Sequence, residues 1–226
     1  MKTNEITIPI NRDVELHGNL NIPSGAHALV IFSHGSGSSR FSVRNKYVAE
    51  ILNKEKIATL LIDLLTEKED SVYETRFNIE LLTERLVAVT NYVSELPEVK
   101  NLPIGYFGAS TGAASALKAA AKLSDLIQAV VSRGGRPDLA GPSLNSVKAP
   151  TLLIIGGNDT DVINLNKMAF ARLSSNKKLE IVPGATHLFE EPGTLDEAAR
   201  IATSWFKDHL HKTNSKQKTH TKVHKV

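Results

Sequence analysis

The chain has 226 residues, of which 41% are hydrophobic, so it is long enough to bury one sizeable core and we expect a single domain. It contains no cysteine, which excludes disulfides, thiolate metal sites and a cysteine nucleophile. The formal net charge is +3, but the five lysines of residues 212–226 exceed that total, which leaves residues 1–211 mildly acidic.

These properties limit the class of protein. A mildly acidic body argues against a nucleic-acid-binding domain, and no apolar run approaches the roughly 18 residues of a membrane span. Residues 1–18 hold no apolar segment of signal-peptide length. We therefore expect a soluble, cytoplasmic protein, monomeric or homodimeric, with one domain at residues 1–211 and a basic, disordered tail at residues 212–226.

Strand and helix patterns alternate along the chain. Period-two character predicts an opening antiparallel pair of strands at residues 5–10 and 14–23. Short apolar runs then predict buried strands at residues 28–34, 57–63, 102–108, 126–135, 151–157 and 177–184. Apolar spacing of three and four predicts helices at residues 41–55, 71–96, 111–123, 163–173 and 195–210.

This alternation is typical of an α/β fold, with a mostly parallel sheet of about eight strands and helices on both faces. Functional atoms in such a sheet gather at the carboxyl ends of its strands. The longest loop, at residues 132–148, is too short for a large helical cap. The pattern therefore predicts an open site, which favours small soluble substrates.

A serine lies between two glycines where the fifth predicted strand meets a helix, in the segment Gly108–Gly112. A sharp strand-to-helix turn can present a nucleophilic serine, and the helix amides then stabilise a developing anion. Glycine and serine also begin helices as ordinary N-caps. The motif alone leaves both interpretations of Ser110 open.

Two further residues follow predicted strands in the chain order of a serine hydrolase. Asp159 comes after the strand at residues 151–157, and His187 after the strand at residues 177–184. A serine hydroxyl needs a base, and the base needs an orienting acid. We therefore predict a Ser110–His187–Asp159 triad, with Asp161 as the second choice of acid.

A resemblance to a known family rests on four stretches of the sequence: FSHGSGSS, GASTG, GGND and GATHLFEEPG. Over about residues 5–210 the chain resembles the α/β-hydrolase superfamily and, in its compactness, the dienelactone hydrolase-like serine esterases. That resemblance implies an α/β-hydrolase fold and acyl transfer through a serine. Dienelactone hydrolases carry a cysteine where this chain has Ser110, which puts a dienelactone substrate in doubt.

The resemblance also assigns residues in the loop after the third strand. It implies an oxyanion hole formed by the Ser36 N–H, with Gly37 as the alternative, and by the Thr111 N–H. His34 corresponds to a histidine that braces this loop rather than to a catalytic residue.

Arginines near strand ends allow two interpretations. Arg133 and Arg136 flank two glycines and either bind a substrate carboxylate or phosphate or form loop salt bridges, for example with Asp138. Arg40 and Arg44 either add positive potential or brace the helix that follows. No pattern indicates a metal site or a cofactor.

The sequence therefore predicts a serine hydrolase that cleaves carboxylic esters or lactones of small soluble substrates through an acyl-enzyme. One alternative keeps the triad and changes the acceptor, which gives an acyltransferase or a peptidase. The other is a non-catalytic hydrolase-fold protein that binds a small ligand. A small-molecule ester is the expected partner, with no nucleic acid and no membrane.

Overall fold

The computed structural model describes residues 3–211, so the predicted tail at residues 212–226 lies outside the described residues. Eight strands occur in this range: β1 (Thr3–Pro9), β2 (Glu15–Asn21), β3 (Ala28–Ser33), β4 (Ile57–Ile62), β5 (Ile104–Ala109), β6 (Ile127–Arg133), β7 (Thr151–Gly156) and β8 (Lys177–Val182). They form one sheet in the order β1-β2-β4-β3-β5-β6-β7-β8.

The sheet is mostly parallel, as predicted. β2 pairs antiparallel with both β1 and β4, whereas all other neighbouring strands run parallel. β3, β4, β5 and β7 are buried throughout because they lie inside the sheet, and their sequences are accordingly near-continuous apolar runs. The edge strand β8 is only partly buried.

Six α-helices are described in residues 3–211: α1 (Val43–Lys54), α2 (Glu67–Asp70), α3 (Ile79–Ser94), α4 (Gly112–Lys122), α5 (Thr160–Arg172) and α6 (Thr194–His209). They cover both faces of the sheet. Alternate residues of β3 show this, because Leu29 and Ile31 join a cluster with α3, α4 and α5. Val30 and Phe32 join the other cluster, with α1 and α6.

The structure corrects two sequence predictions of local structure. The helix predicted at residues 71–96 begins only at Ile79, after a 3-10 segment at Tyr73–Phe77. Asn78 sets this start because its side chain accepts a hydrogen bond from the Leu81 N–H at 3.1 Å. The loop after β6 contains a 3-10 segment, Pro137–Ser146, which is interrupted at Gly141.

Parallel strands bring the predicted site residues to one edge. The carboxyl ends of β3, β5, β7 and β8 lead into the loops that carry Ser36, Ser110, Asp159 and His187 respectively. We call this side of the sheet the carboxyl edge. No helix within residues 3–211 is both long enough and apolar enough to cross a membrane.

Candidate active site

Ser110 occupies a strained turn between β5 and α4. Its φ is +51°, a left-handed backbone conformation that residues other than glycine rarely adopt. The turn projects the serine from the carboxyl edge two residues before Gly112, the first residue of α4. Strain at a serine in this context is the property expected of a nucleophile turn.

Close packing explains the two glycines around the turn. A Cβ at Gly108 would lie 2.5 Å from Ala113 Cα, and a Cβ at Gly112 would lie 2.2 Å from the Ser33 carbonyl oxygen. Both contacts involve backbone atoms that cannot move aside like a side chain. The residue types of the motif are therefore required by the geometry that presents Ser110.

His187 and Asp159 meet at the carboxyl edge. His187 Nδ1 lies 2.7 Å from Asp159 Oδ2, and the two side chains are 37% and 14% exposed. A carboxylate only accepts hydrogen bonds, so Nδ1 is the donor and Nε2 remains available to take a proton. Asp159 is therefore the carboxylate that contacts His187, and the structure does not bring the second choice, Asp161, into that contact.

The loop that carries His187 is held by a contact that the sequence analysis did not predict. The Thr186 N–H and hydroxyl donate to the two oxygens of Glu191, at 3.0 and 2.6 Å. The Thr186 hydroxyl first, and then its N–H, lower the pKa of Glu191. These two hydrogen bonds join a residue before His187 to a residue after it, and they restrain the loop that carries the imidazole.

Ser110 and His187 line the same cavity, of about 250 Å³. Gly35, Ser36 and Gly134 also line it. In the part of the chain that the structure describes, the imidazole bonds to Asp159 and not to the Ser110 hydroxyl. The structure thus brings His187 and Asp159 into contact and places Ser110 and His187 in the lining of one cavity.

The predicted oxyanion loop contacts the serine turn directly. The Ser36 N–H donates to Thr111 Oγ1 at 2.8 Å, so it is already engaged. Gly35 packs against the turn so closely that a Cβ there would lie 2.9 Å from Ser110 Cβ. Gly37, the alternative donor, has a φ of +67° and is not among the residues that line the cavity.

His34 lies beneath this loop and has a structural environment. Its Nδ1 contacts the Gly35 carbonyl at 2.9 Å, and its Nε2 accepts a hydrogen bond from the Leu64 N–H at 3.2 Å. Burial lowers the pKa of His34 and keeps the imidazole neutral. The residue therefore ties the loop after β3 to the loop after β4.

The two arginines near the end of β6 have different surroundings. Arg136 forms a two-pronged salt bridge with Asp138, at 2.9 and 2.8 Å. Arg133 is only 7% exposed and lines the cavity, and its one polar side-chain contact among the described residues is Asn45 Oδ1 at 3.5 Å. The loop salt bridge considered for both residues thus occurs at Arg136 alone.

Sequence reasoning considered Arg44 as a source of positive potential but did not identify Ser42 and Asn45, at the start of α1, as residues of the site. Ser42, Arg44 and Asn45 line the same cavity as Ser110. The sequence contains only a weak signal, which is a serine at position 42 that can cap a helix. In the structure the Ser42 hydroxyl caps α1 by accepting a hydrogen bond from the Asn45 N–H at 3.3 Å. That signal predicts a helix start and not its approach to the serine. No cluster of three or more His, Asp or Glu suited to a metal ion occurs within residues 3–211.

Both a sequence model of a protein family and solved structures of other proteins match this chain. The sequence model of the dienelactone hydrolase family matches residues 48–213. A crystal structure of a dienelactone hydrolase from Anabaena variabilis superimposes with a TM-score of 0.90 at 50% identity, covering 93% of this chain and 99% of that one. Est1E from Butyrivibrio proteoclasticus shares the fold, with a TM-score of 0.77 at 18% identity over 90% of this chain and 98% of its own.

Two curated proteins of Mycobacterium tuberculosis are 55% identical over 197 residues, which cover 87% of this chain. Each is named as a candidate phosphoribosyl transferase. The aligned part is only 44% of their length, so this chain spans less than half of the curated relatives that it matches.

Proposed function

The chain belongs to the dienelactone hydrolase family, and we propose that it is a serine hydrolase that cleaves carboxylic esters or lactones of small soluble substrates. One observation carries this proposal. A strained Ser110 lines one cavity on the carboxyl edge together with His187, and His187 is hydrogen-bonded to Asp159. These are the nucleophile, base and orienting acid of acyl transfer.

The reaction begins at the serine hydroxyl. Ser110 Oγ attacks the ester carbonyl while His187 Nε2 takes its proton, and Asp159 stabilises the imidazolium that forms. The protonated imidazole then gives that proton to the leaving alcohol, which produces an acyl-enzyme. Water attacks the acyl-enzyme with the same base and releases the acid.

Rotation of the Ser110 side chain about its Cα–Cβ bond prepares this step. Catalytic hydrogen bonds are often long or poorly aligned before the substrate binds and tighten in the complex. Ser110 lines the same cavity as His187, and no side chain among the described residues hydrogen-bonds to its hydroxyl, so no such bond has to break when the side chain turns.

The developing oxyanion needs donors beside the serine. The Thr111 N–H has no hydrogen-bond acceptor among residues 3–211, and it lies at the N-terminal end of α4, whose dipole favours an anion. The Ser36 N–H becomes the second donor when it binds the oxyanion in addition to the Thr111 hydroxyl or in place of it. The substrate oxygen would replace a contact that already holds this donor in place.

Analysis of the reaction products separates hydrolysis from the other functions that the same geometry allows. An acyltransferase or peptidase would use the same triad, and an added alcohol or amine acceptor would then appear in the product. A non-catalytic binding protein would not react at Ser110. Phosphoribosyl transfer is the named activity of proteins more than twice as long as the aligned region, and no observation on residues 3–211 favours it for this chain.

A panel of short esters and lactones tests the proposal, with Ser110→Ala as the blank. We expect steady-state turnover of at least one class by the parent protein and about 10^4-fold less by the variant. Equal rates for the two proteins would show that the hydrolysis does not use this serine.

A further inference from the structure

The cavity beside Ser110 has an unbalanced charge. Its lining includes two arginines, Arg44 and Arg133, and no carboxylate. Arg44 donates to Glu190 at 2.9 Å, but that glutamate side chain is 64% exposed and is not part of the lining. A substrate that enters this cavity therefore meets positive charge on one wall.

Arg133 is a buried guanidinium that lacks a carboxylate partner. Its Nε and Nη1 are covered and have no hydrogen-bond partner among the described residues. The Nη2 contact with Asn45, at 3.5 Å, lies at the limit of a hydrogen bond. The Phe189 ring lies 5.7 Å from the guanidinium and satisfies none of these donors as an oxygen would.

Such a group is costly to keep unpaired. Burying a charge without a partner is strongly unfavourable, and proteins usually pair it or bind an ion there. Burial first, and then the charge of Arg44, lower the pKa of Arg133 to about 10, so the side chain is still cationic at neutral pH. Arg133 therefore brings a positive charge without a carboxylate partner to the lining of the cavity.

The start of α1 adds donors at the same place. Ser42 caps the helix, and no acidic residue occurs in its first turn. The N–H groups of Val43 and Arg44 have no acceptor among residues 3–211. A helix N-terminus attracts anions through such free N–H groups and its dipole, and α1 is 12 residues long.

We propose that Arg133, Arg44 and the N-terminus of α1 form a subsite for a phosphate group carried by the ester substrate of Ser110. This inference rests on the proposed function and names the substrate class. A phosphate monoester has close to two negative charges and three acceptor oxygens at neutral pH. The Arg133 guanidinium, the free helix N–H groups, the hydroxyls of Ser38 and Ser42, and Arg44, which also pairs with Glu190, offer more donors than the two oxygens of a carboxylate can accept, and three phosphate oxygens fit them better.

The subsite is adjacent to the reacting atoms. Arg133 is the last residue of β6 and lies opposite Ala109 in the parallel pairing with β5. Its carbonyl oxygen accepts from the Ser110 N–H at 3.4 Å. Since the whole cavity is about 250 Å³, the phosphate must lie within a few bonds of the scissile carbonyl.

Two matched series of short esters test the assignment. One series bears a phosphoryl, carboxylate or neutral hydroxymethyl end on the alcohol side, and the other bears the same ends on the acyl side. We expect the parent protein to prefer the phosphoryl ester of at least one series in kcat/KM. In Arg133→Gln the ratio of phosphoryl to neutral kcat/KM should fall about 10- to 100-fold, and Arg133→Lys should restore part of it.

Arg136→Gln is the matched control because it removes the same side chain from a residue that already pairs with Asp138 outside the cavity lining. Its ratio should equal that of the parent protein. A preference for the carboxylate ester would overturn the phosphate assignment. Equal losses on phosphoryl and neutral esters in Arg133→Gln would overturn the subsite itself.

A binding measurement separates this proposal from the proposed hydrolase activity. Inorganic phosphate should raise the melting temperature of Ser110→Ala protein, and Arg133→Gln introduced in that background should abolish the rise. Because the change removes an unpaired buried charge, the double variant should fold and be at least as stable without phosphate. No stabilisation of the Ser110→Ala protein would contradict the subsite, even if the ester panel confirms hydrolysis.

Discussion

His187 Nδ1 and Asp159 Oδ2 are 2.7 Å apart, although 28 residues separate them along the chain. The contact arises because β7 and β8 are parallel neighbours, so the loops that follow them leave the sheet at the same edge. The backbone also joins these loops, since the Asn158 N–H donates to the Ala185 carbonyl at 2.9 Å. The pairing of β7 with β8 thus brings His187 within reach of the carboxylate that orients it.

Asp159→Asn should lower turnover strongly. An amide at this position no longer holds the imidazole in the tautomer that leaves Nε2 free, and we expect a loss of about 10^4-fold in kcat. Asp161→Asn is the matched control, because Asp161 lies in the first turn of α5 and makes no contact with His187. Similar losses in the two variants would show that Asp159 is not the orienting acid.

Gly112→Ala should destabilise the fold. The new Cβ would lie 2.2 Å from the Ser33 carbonyl oxygen, and we expect a cost of about 3 kcal/mol or more in the free energy of unfolding. Gly193→Ala provides a comparison, since nothing lies within 4 Å of its Cβ and only its left-handed φ of +81° is strained. That change should cost about 1–2 kcal/mol. Chemical denaturation measures both, and equal costs would contradict the tight approach of α4 to β3.

His34 should make stability depend on pH. Its pKa in the folded protein is lowered from 6.5 by burial, so the unfolded chain binds the proton more readily. The free energy of unfolding should therefore fall as the pH drops below about 6.5, by at most about 1.4 kcal/mol per pH unit, until the folded pKa is reached.

The variant His34→Gln should have a lower stability at pH 7 and a smaller pH slope in this window. Urea denaturation at a series of pH values between 7 and 5 measures the slope. If the parent protein and the variant lose stability in parallel over this range, then His34 is not kept neutral by the fold.

Much of the fold follows from local patterns. The buried strands β3, β4, β5 and β7 are largely apolar, and this predicted a mostly parallel sheet. Asp159 and His187 follow the neighbouring parallel strands β7 and β8, so their approach at one edge of the sheet could be expected. Helix bounds were less accurate where a cap decided them, as at Asn78.

Other features depend on packing that no spacing reveals. Arg133 and Arg136 flank the same two glycines, yet one is buried against Phe189 and the other pairs with Asp138. The engagement of the Ser36 N–H by the Thr111 hydroxyl likewise joins residues 75 apart in sequence. The cytoplasmic location, the monomeric or homodimeric state and the nature of the tail stay predictions.

The reactivity of Ser110 is the property on which the proposed hydrolase function depends most. Treatment of the protein with a fluorophosphonate, followed by peptide mass spectrometry, measures this reactivity without any assumption about the substrate. We predict a single covalent adduct on Ser110, which is absent in Ser110→Ala and slowed at least about 10^3-fold in His187→Ala. An unlabelled Ser110, or equal labelling of the parent protein and His187→Ala, would contradict a nucleophilic serine activated by this histidine.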